Sequence, residues 1–174
     1  VEGKKTLGYE IAEQLGWRLP DVIVYETGGG TGLIGMWKAF NELKLLGKVS
    51  GKLPRMVAAQ STGCAPVVEA FQRRENKTEF WENSQTVALG LNVPGPIGGY
   101  WILRILYESN GIAVDVPESD LQNLTDEFNS ITRINAGPEA GVVWGAFQKL
   151  RNVGWIDNSQ SVVLFATGIE RCKL

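Results

Sequence analysis

One stretch near the amino terminus decides the fold, because a short β-branched segment runs directly into a glycine cluster: Val22-Ile23-Val24-Tyr25-Glu26-Thr27-Gly28-Gly29-Gly30-Thr31-Gly32. A strand that ends in glycines and opens a helix gathers backbone N–H groups around one point, at the positive end of the helix dipole. Glycine suits this position because a Cβ would block both the positive φ values of the turn and the approach of a phosphate. The stretch predicts a phosphate-binding site, here called the glycine cup, made of Gly28, Gly29, Gly30, Thr31 and Gly32.

The residues around the cup limit which phosphate-containing ligand it can bind. The alternative to a binding site is that the stretch forms an ordinary strand-to-helix turn. The P-loop pattern fails, because no Lys-Ser/Thr pair follows the glycines at the required spacing. Residues 30–35 fit G-x-G-x-x-G, but a dinucleotide site also needs an acidic residue at the end of the next strand. That strand ends in Gln60-Ser61, so a dinucleotide is the second choice.

Strand and helix patterns alternate along the rest of the chain. Strands are predicted over residues 22–25, 55–60, 111–116 and 161–168, and helices over 7–15, 33–46, 67–74, 100–109 and 138–153, with one more from residue 117. This order predicts an α/β fold of three layers, a mostly parallel sheet with helices on both faces. Ligands of such sheets lie outside the carboxyl ends of the strands, where the cup, the turn at residues 61–66 and Thr167-Gly168 all fall.

Composition limits the class of protein. The 174 residues are 44% hydrophobic with a formal net charge of −2, which predicts one globular α/β domain over residues 1–174. No apolar run predicts a membrane span, and no basic stripe predicts a nucleic-acid surface. The chain has no His, which excludes His-based catalysis and zinc patterns that use His, and no metal site is predicted. The two cysteines, Cys64 and Cys172, are too few for a disulfide framework, so a reducing, cytoplasmic location is expected.

Several stretches, in order along most of the chain, resemble the fold-type II pyridoxal-phosphate enzymes of tryptophan synthase β-like fold, and among them the threonine synthases. The matching stretches are the cup, Glu2-Gly3-Lys4-Lys5-Thr6-Leu7-Gly8 with the residues on through Gly47, Gln60 with Gly63-Cys64-Ala65-Pro66, Val93-Pro94 with Ile97-Gly98, and Val163-Leu164-Phe165 with Thr167-Gly168. The chain resembles only the carboxyl-terminal half of a two-domain enzyme of this kind.

The resemblance implies a cofactor, pyridoxal 5′-phosphate, whose phosphate the cup holds and whose pyridine nitrogen Thr167 faces. A neutral hydroxyl at that place leaves the ring nitrogen largely unprotonated, so the ring withdraws electrons less strongly than it would beside an aspartate. Three features depart from the family pattern, one of them the sequence Ile169-Glu170-Arg171-Cys172 after Gly168, where the family has a Gly-Leu-Lys ending. Glu26 stands where the family usually has Pro, and a carboxylate beside the cup opposes anion binding unless it points to solvent. Residues 92–99 lack three charges that the family carries there.

The Schiff-base lysine of this family lies in a Ser-x-Lys-Asp/Asn segment far upstream of the cup, and this chain contains no such segment. Six lysines have the sequence positions of solvated surface charges instead: Lys4, Lys5, Lys38, Lys44, Lys48 and Lys52. The resemblance therefore implies that no catalytic residue of this type lies in the chain, and that the chain is inactive alone. It also implies three partners, namely an amino-acid substrate, the missing amino-terminal domain and a second copy in a homodimer.

Three functions follow from these patterns. The first is part of a lyase of threonine-synthase type, which converts O-phosphohomoserine and water to threonine and phosphate in threonine biosynthesis. The second is part of another fold-type II enzyme, such as a serine or threonine dehydratase, because the cup does not distinguish the two reactions. The third, from a different class, is a non-catalytic domain that binds a phosphate or a nucleotide.

Overall fold

A computed structural model describes residues 1–169, so Cys172 lies outside the described part. Its centre is a parallel sheet with the strand order β3-β2-β1-β4. The strands are β1 Val22–Glu26, β2 Arg55–Ser61, β3 Ile112–Val116 and β4 Val162–Leu164. Because all four run in one direction, their carboxyl ends lie at one edge of the sheet, as the sequence predicts for the cup, the turn after β2 and Thr167.

Within residues 1–169, six α-helices connect or flank these strands. They are α1 Lys5–Gln14, α2 Thr31–Leu45, α3 Pro66–Gln72, α4 Gly99–Glu108, α5 Leu121–Thr132 and α6 Pro138–Asn152. Short 3-10 turns occur at Glu2–Lys4, Leu89–Leu91 and Glu118–Asp120. Among residues 1–169, no helix combines the length and the apolar character that crossing a bilayer requires.

The side chains of β1 alternate between two apolar layers. Ile23 and Tyr25 pack with residues of α1 to α4 on one face. Val22 and Val24 pack with residues of α5 and α6 on the other face. Successive side chains of a strand point to opposite faces, so a continuous apolar run is what a strand covered on both faces requires. The predicted fold class, an α/β sheet between two helical layers, is confirmed.

Two boundaries near the candidate site differ from the sequence prediction. Helix α2 begins at Thr31 rather than at residue 33, because Gly30 takes the left-handed conformation with φ 78° and starts the helix. The predicted last strand over residues 161–168 is paired only as Val162–Leu164. The Phe165 N–H still donates to the Val24 carbonyl at 3.2 Å, and beyond it the chain leaves the ladder.

Candidate functional site

The glycine cup lies between the carboxyl end of β1 and the amino end of α2. Gly28, Gly29 and Gly30 form the turn, while Thr31 and Gly32 belong to the first turn of α2. No side chain caps this helix end, and within residues 1–169 the backbone N–H groups of residues 28–33 donate to no acceptor. Unpaired N–H groups at the positive end of a helix dipole are the donors that an anion requires.

The four glycines of the cup have different surroundings. A Cβ at Gly28 would lie 2.9 Å from the Gly90 carbonyl oxygen, and one at Gly30 would overlap the side chain of Ile102. A Cβ at Gly32 would overlap the Tyr25 ring. At Gly29 a Cβ would meet no atom within 4 Å. Three of these glycines are therefore required by close packing of the protein on itself, whereas Gly29 borders open space.

Thr167 reaches the same edge because β4 pairs with β1. The register pairs Val24 with Leu164, so the segments after β1 and β4 leave the sheet side by side. The Thr167 hydroxyl then donates a hydrogen bond to Oε1 of Glu26. The pairing of β4 with β1 therefore brings Thr167 close to the residues that lead into the glycine cup.

Glu26 is buried beside Thr167, in what is here called the corner of the site, instead of pointing to solvent. Its side chain is 3% exposed, and Oε2 has no hydrogen-bond partner among the described residues. Burial raises the pKa of the Glu26 carboxyl to about 7; the Thr167 hydrogen bond lowers it and the nearby Glu139 carboxylate raises it further. Of the two orientations considered from sequence, the solvent-facing one is wrong, and the carboxyl group changes charge near neutral pH.

Gln60 organises the rim from β2, a role that sequence reasoning missed. Its Nε2 donates to the Thr27 carbonyl at 2.9 Å, and its Oε1 accepts from the N–H groups of Val67 and Val68 at 2.9 and 3.1 Å. One fully buried amide thus joins the chain before the cup to the start of α3. The available signal was a polar residue at the end of an apolar strand, six positions before the proline that begins α3.

Glu139, in the first turn of α6, is a second residue that sequence reasoning missed. Its Oε1 accepts from the Gly90 N–H at 2.9 Å. Its Oε2 lies so close to Gly168 that a Cβ there would be 2.6 Å away. Gly168 also accepts a hydrogen bond from the Gly137 N–H at 3.1 Å. Glu139 is therefore bonded to the loop before α4 and lies against the segment after β4.

A cavity of about 980 Å³ opens from the cup between α2 and α4. Apolar side chains form most of its wall: Ile34, Trp37, Val93, Ile97, Trp101 and Ile105. Its two cations are already paired, Lys38 with Glu2 and Arg104 with Glu108. The cavity therefore offers a large apolar wall beside the donors of the cup.

The six lysines singled out from sequence lie at the surface. Lys4, Lys38, Lys44, Lys48 and Lys52 are exposed, and the partly buried Lys5 forms ion pairs with Glu2 and Glu42. None of the six contacts Glu26 or Thr167 through a hydrogen bond or an ion pair. In the part of the chain that the structure describes, no group of three acidic, Cys or His side chains could hold a metal ion.

Comparisons with known proteins match almost the whole chain. A family model described as "Pyridoxal-phosphate dependent enzyme" matches residues 1–168. Threonine synthase from Methanocaldococcus jannaschii is 29% identical over 168 residues, and threonine synthase from Methanosarcina acetivorans is 30% identical over 168 residues. Each alignment covers 97% of this chain and 41% of the relative, so the chain spans less than half the length of these relatives.

The fold matches as well. The crystal structure of a fungal L-serine ammonia-lyase from Rhizomucor miehei superposes with a TM-score of 0.78 at 18% sequence identity. The superposition covers 97% of this chain and 51% of that structure. The likeness extends over almost the whole chain and establishes a shared fold.

Proposed function

The chain belongs to the pyridoxal-phosphate dependent enzymes of fold type II, and on that premise we propose that it forms part of a lyase of threonine-synthase type. The reaction would convert O-phosphohomoserine and water to threonine and phosphate. Support for this reaction, over others in the family, comes from the threonine synthases at 29% and 30% identity.

The observation that carries the cofactor assignment is the set of unpaired N–H groups at residues 28–33. A phosphate fits there because it brings several acceptor oxygens to donors that the protein leaves free. In this proposal the glycine cup holds the phosphate of pyridoxal 5′-phosphate, and Thr167 faces the ring nitrogen. The bound cofactor supplies an electron-withdrawing ring for chemistry at an amino acid.

The proposal places the Schiff-base lysine outside residues 1–169. Turnover needs an amine within hydrogen-bond reach of the reacting carbons, whereas the lysines of residues 1–169 are exposed or, in the case of Lys5, held in ion pairs. The chain's own share is then to bind the cofactor phosphate, orient the ring and form one wall of the substrate site. An amino-terminal domain, as in the longer relatives, would supply the amine.

A serine or threonine dehydratase is the second candidate, and the cation pairing in the cavity favours it. A substrate that carries its own phosphate needs free positive charge, yet Lys38 and Arg104 are bound to carboxylates and residues 92–98 contribute no cation. A dehydratase substrate has only the amino-acid charges. Product analysis distinguishes the two, because phosphohomoserine would yield threonine and phosphate, whereas serine or threonine would yield a 2-oxo acid and ammonia.

Cofactor binding is tested with Gly29→Val and a matched control, Gly3→Val. Both glycines have room for a Cβ, so neither substitution is expected to disturb the fold. Only the valine at position 29 projects into the space beside the cup. Titration of the purified protein with pyridoxal 5′-phosphate is expected to show at least a tenfold loss of affinity for Gly29→Val and none for Gly3→Val. Equal affinity of the two variants would contradict the cup assignment.

A further inference from the structure

We propose that Glu26 and Thr167 form a proton-accepting pair toward the ring nitrogen of the cofactor, so that this nitrogen is held protonated. The inference rests on the proposed function, since it takes the cofactor to bind with its ring at Thr167. It differs from the expectation for a lone threonine, which leaves the nitrogen unprotonated. Thr167 contacts the ring in this proposal, and Glu26 acts through Thr167 as a positioning residue.

The direction of the hydrogen bond between Thr167 and Glu26 is the main support for this inference. A threonine hydroxyl has a single proton, and Thr167 donates it to Oε1 of Glu26. While Glu26 is ionised, only lone pairs remain on the hydroxyl oxygen, so Thr167 can only accept from a ligand. An unprotonated pyridine nitrogen is also an acceptor, and two acceptors repel. A protonated ring nitrogen completes the chain, because it donates to Thr167 while Thr167 donates to Glu26.

The charges around Glu26 also favour a protonated ring nitrogen. Glu26 forms no ion pair within residues 1–169, and its Oε2 has no partner there. The titratable groups that interact with it electrostatically are Tyr25 from its own strand and Glu139 from α6. Burial keeps the Tyr25 phenol neutral by raising its pKa to about 12, and Glu139 adds negative charge. A cationic ring nitrogen would supply the missing positive charge in a place shielded from water.

The proton balance is simple. In the free protein the Glu26 carboxyl, with its pKa near 7, is partly protonated at neutral pH. When the ring binds, this carboxyl group releases its proton to solvent and the ring nitrogen takes up one proton from solvent, while the Thr167 hydroxyl keeps donating to Glu26. One O–H bond of Glu26 is replaced by one N–H bond of the ring, and no electron changes hands.

The test uses pyridoxine 5′-phosphate as the probe, because it carries the ring and the phosphate but no aldehyde to react with surface lysines. With the probe labelled with ¹⁵N in the ring and bound to purified, cofactor-free protein, the nitrogen chemical shift and the ultraviolet absorbance are followed against pH. The ring nitrogen is expected to keep its proton to at least one pH unit higher than in the free probe, a tenfold change in the protonation equilibrium. Glu26→Gln is expected to abolish this increase.

Three further variants distinguish the effect of the Glu26–Thr167 pair from a general effect of nearby charge. Thr167→Ser keeps a hydroxyl and is expected to keep the increase, whereas Thr167→Val is expected to lose it with Glu26 intact. Glu139→Gln removes a nearby charge without touching the Thr167 hydroxyl, and at least half of the increase is expected to remain. If Glu139→Gln had as large an effect as Glu26→Gln, the specific role of Glu26 would be overturned.

The outcomes also separate this inference from the proposed function. A bound probe whose ring nitrogen titrates as in free solution would overturn the proton-accepting pair and leave the cup assignment standing. If Gly29→Val bound the probe as tightly as the unaltered protein does, the cup assignment would fall. If the unaltered protein bound no probe at all, both would fall together.

Discussion

Gly32 lies directly against the phenol ring of Tyr25, so closely that a Cβ at Gly32 would overlap the tyrosine. This contact joins the first turn of α2 to the strand that precedes it. Gly29, three positions earlier, has no atom within 4 Å of the place that a Cβ would take. The glycine cup therefore combines residues that serve the packing of the protein with one that leaves room for a ligand.

Gly32→Ala is expected to lower the free energy of unfolding by about 1–3 kcal/mol, because the added methyl group must displace the Tyr25 ring or the helix. Gly29→Ala is expected to change it by less than about 0.5 kcal/mol. Urea unfolding of the two variants and the unaltered protein measures both values. Equal losses would show that the two glycines are equally constrained.

Gln60→Ala is expected to destabilise the protein by about 3 kcal/mol. The change removes the side-chain acceptor of two buried N–H groups and a donor to the Thr27 carbonyl, and it leaves a cavity. Gln72→Ala, an exposed amide on α3, is the matched control and should lie within about 0.5 kcal/mol of the unaltered protein. Chemical unfolding of both variants is the measurement, and similar losses would contradict the role of Gln60.

The buried Glu26 makes stability depend on pH. Its pKa is raised from 4.5 to about 7 in the folded chain, so the folded state binds the proton more tightly than the unfolded state. The stabilisation is fully present below the unfolded pKa and is lost as the pH rises through about 7, a change on the order of 3 kcal/mol.

Glu26→Gln keeps the shape of the side chain and does not titrate. We expect the difference in unfolding free energy between this variant and the unaltered protein to grow in favour of the glutamine from about pH 5 to about pH 8. Urea unfolding across that range measures the difference. A constant difference would mean that the Glu26 pKa is the same in the folded and unfolded chains.

Borohydride reduction of the protein with pyridoxal 5′-phosphate, followed by peptide mapping, is expected to label no lysine of residues 1–169 stoichiometrically. The reason is that seven of the eight lysines in this range are exposed, and the eighth, Lys5, is held by ion pairs; the exposed ones are Lys4, Lys38, Lys44, Lys48, Lys52, Lys77 and Lys149. Weak labelling spread over several of them is the expected pattern. A single fully labelled lysine in this range, with threonine formed from phosphohomoserine, would contradict it.

The sequence predicts the fold well because its signals are local. All four strands are β-branched or apolar runs separated by helical patterns, and each is found where predicted, although β4 is shorter than predicted. The grouping of the cup with Thr167 at one edge follows from parallel strands alone. The start of α2 was placed two residues late, because the apolar pattern begins at Leu33 whereas the conformation of Gly30 starts the helix.

The sequence does not predict the polar contacts around Glu26, because they join residues that lie far apart along the chain. The buried Glu26 accepts a hydrogen bond from Thr167, which lies 141 positions away along the chain. The link through Gln60 depends on where the chain before the cup passes β2. Likewise, Glu139 meets Gly90 across 49 positions. Amino-acid patterns indicate which residues form strands and helices, but not which polar groups meet at their ends.

The pairing of β1 with β4 also has a consequence for how the protein folds. Asp21 and Ser161, which precede the two strands, exchange hydrogen bonds across 140 positions of sequence. Closing so long a loop costs entropy, and contacts of high sequence separation form slowly. Of the strands that the structure describes, β4 emerges last during synthesis, so Glu26 lacks its Thr167 hydrogen bond until this strand docks. We expect the corner at Glu26 and Thr167 to be the last part of the sheet to become ordered.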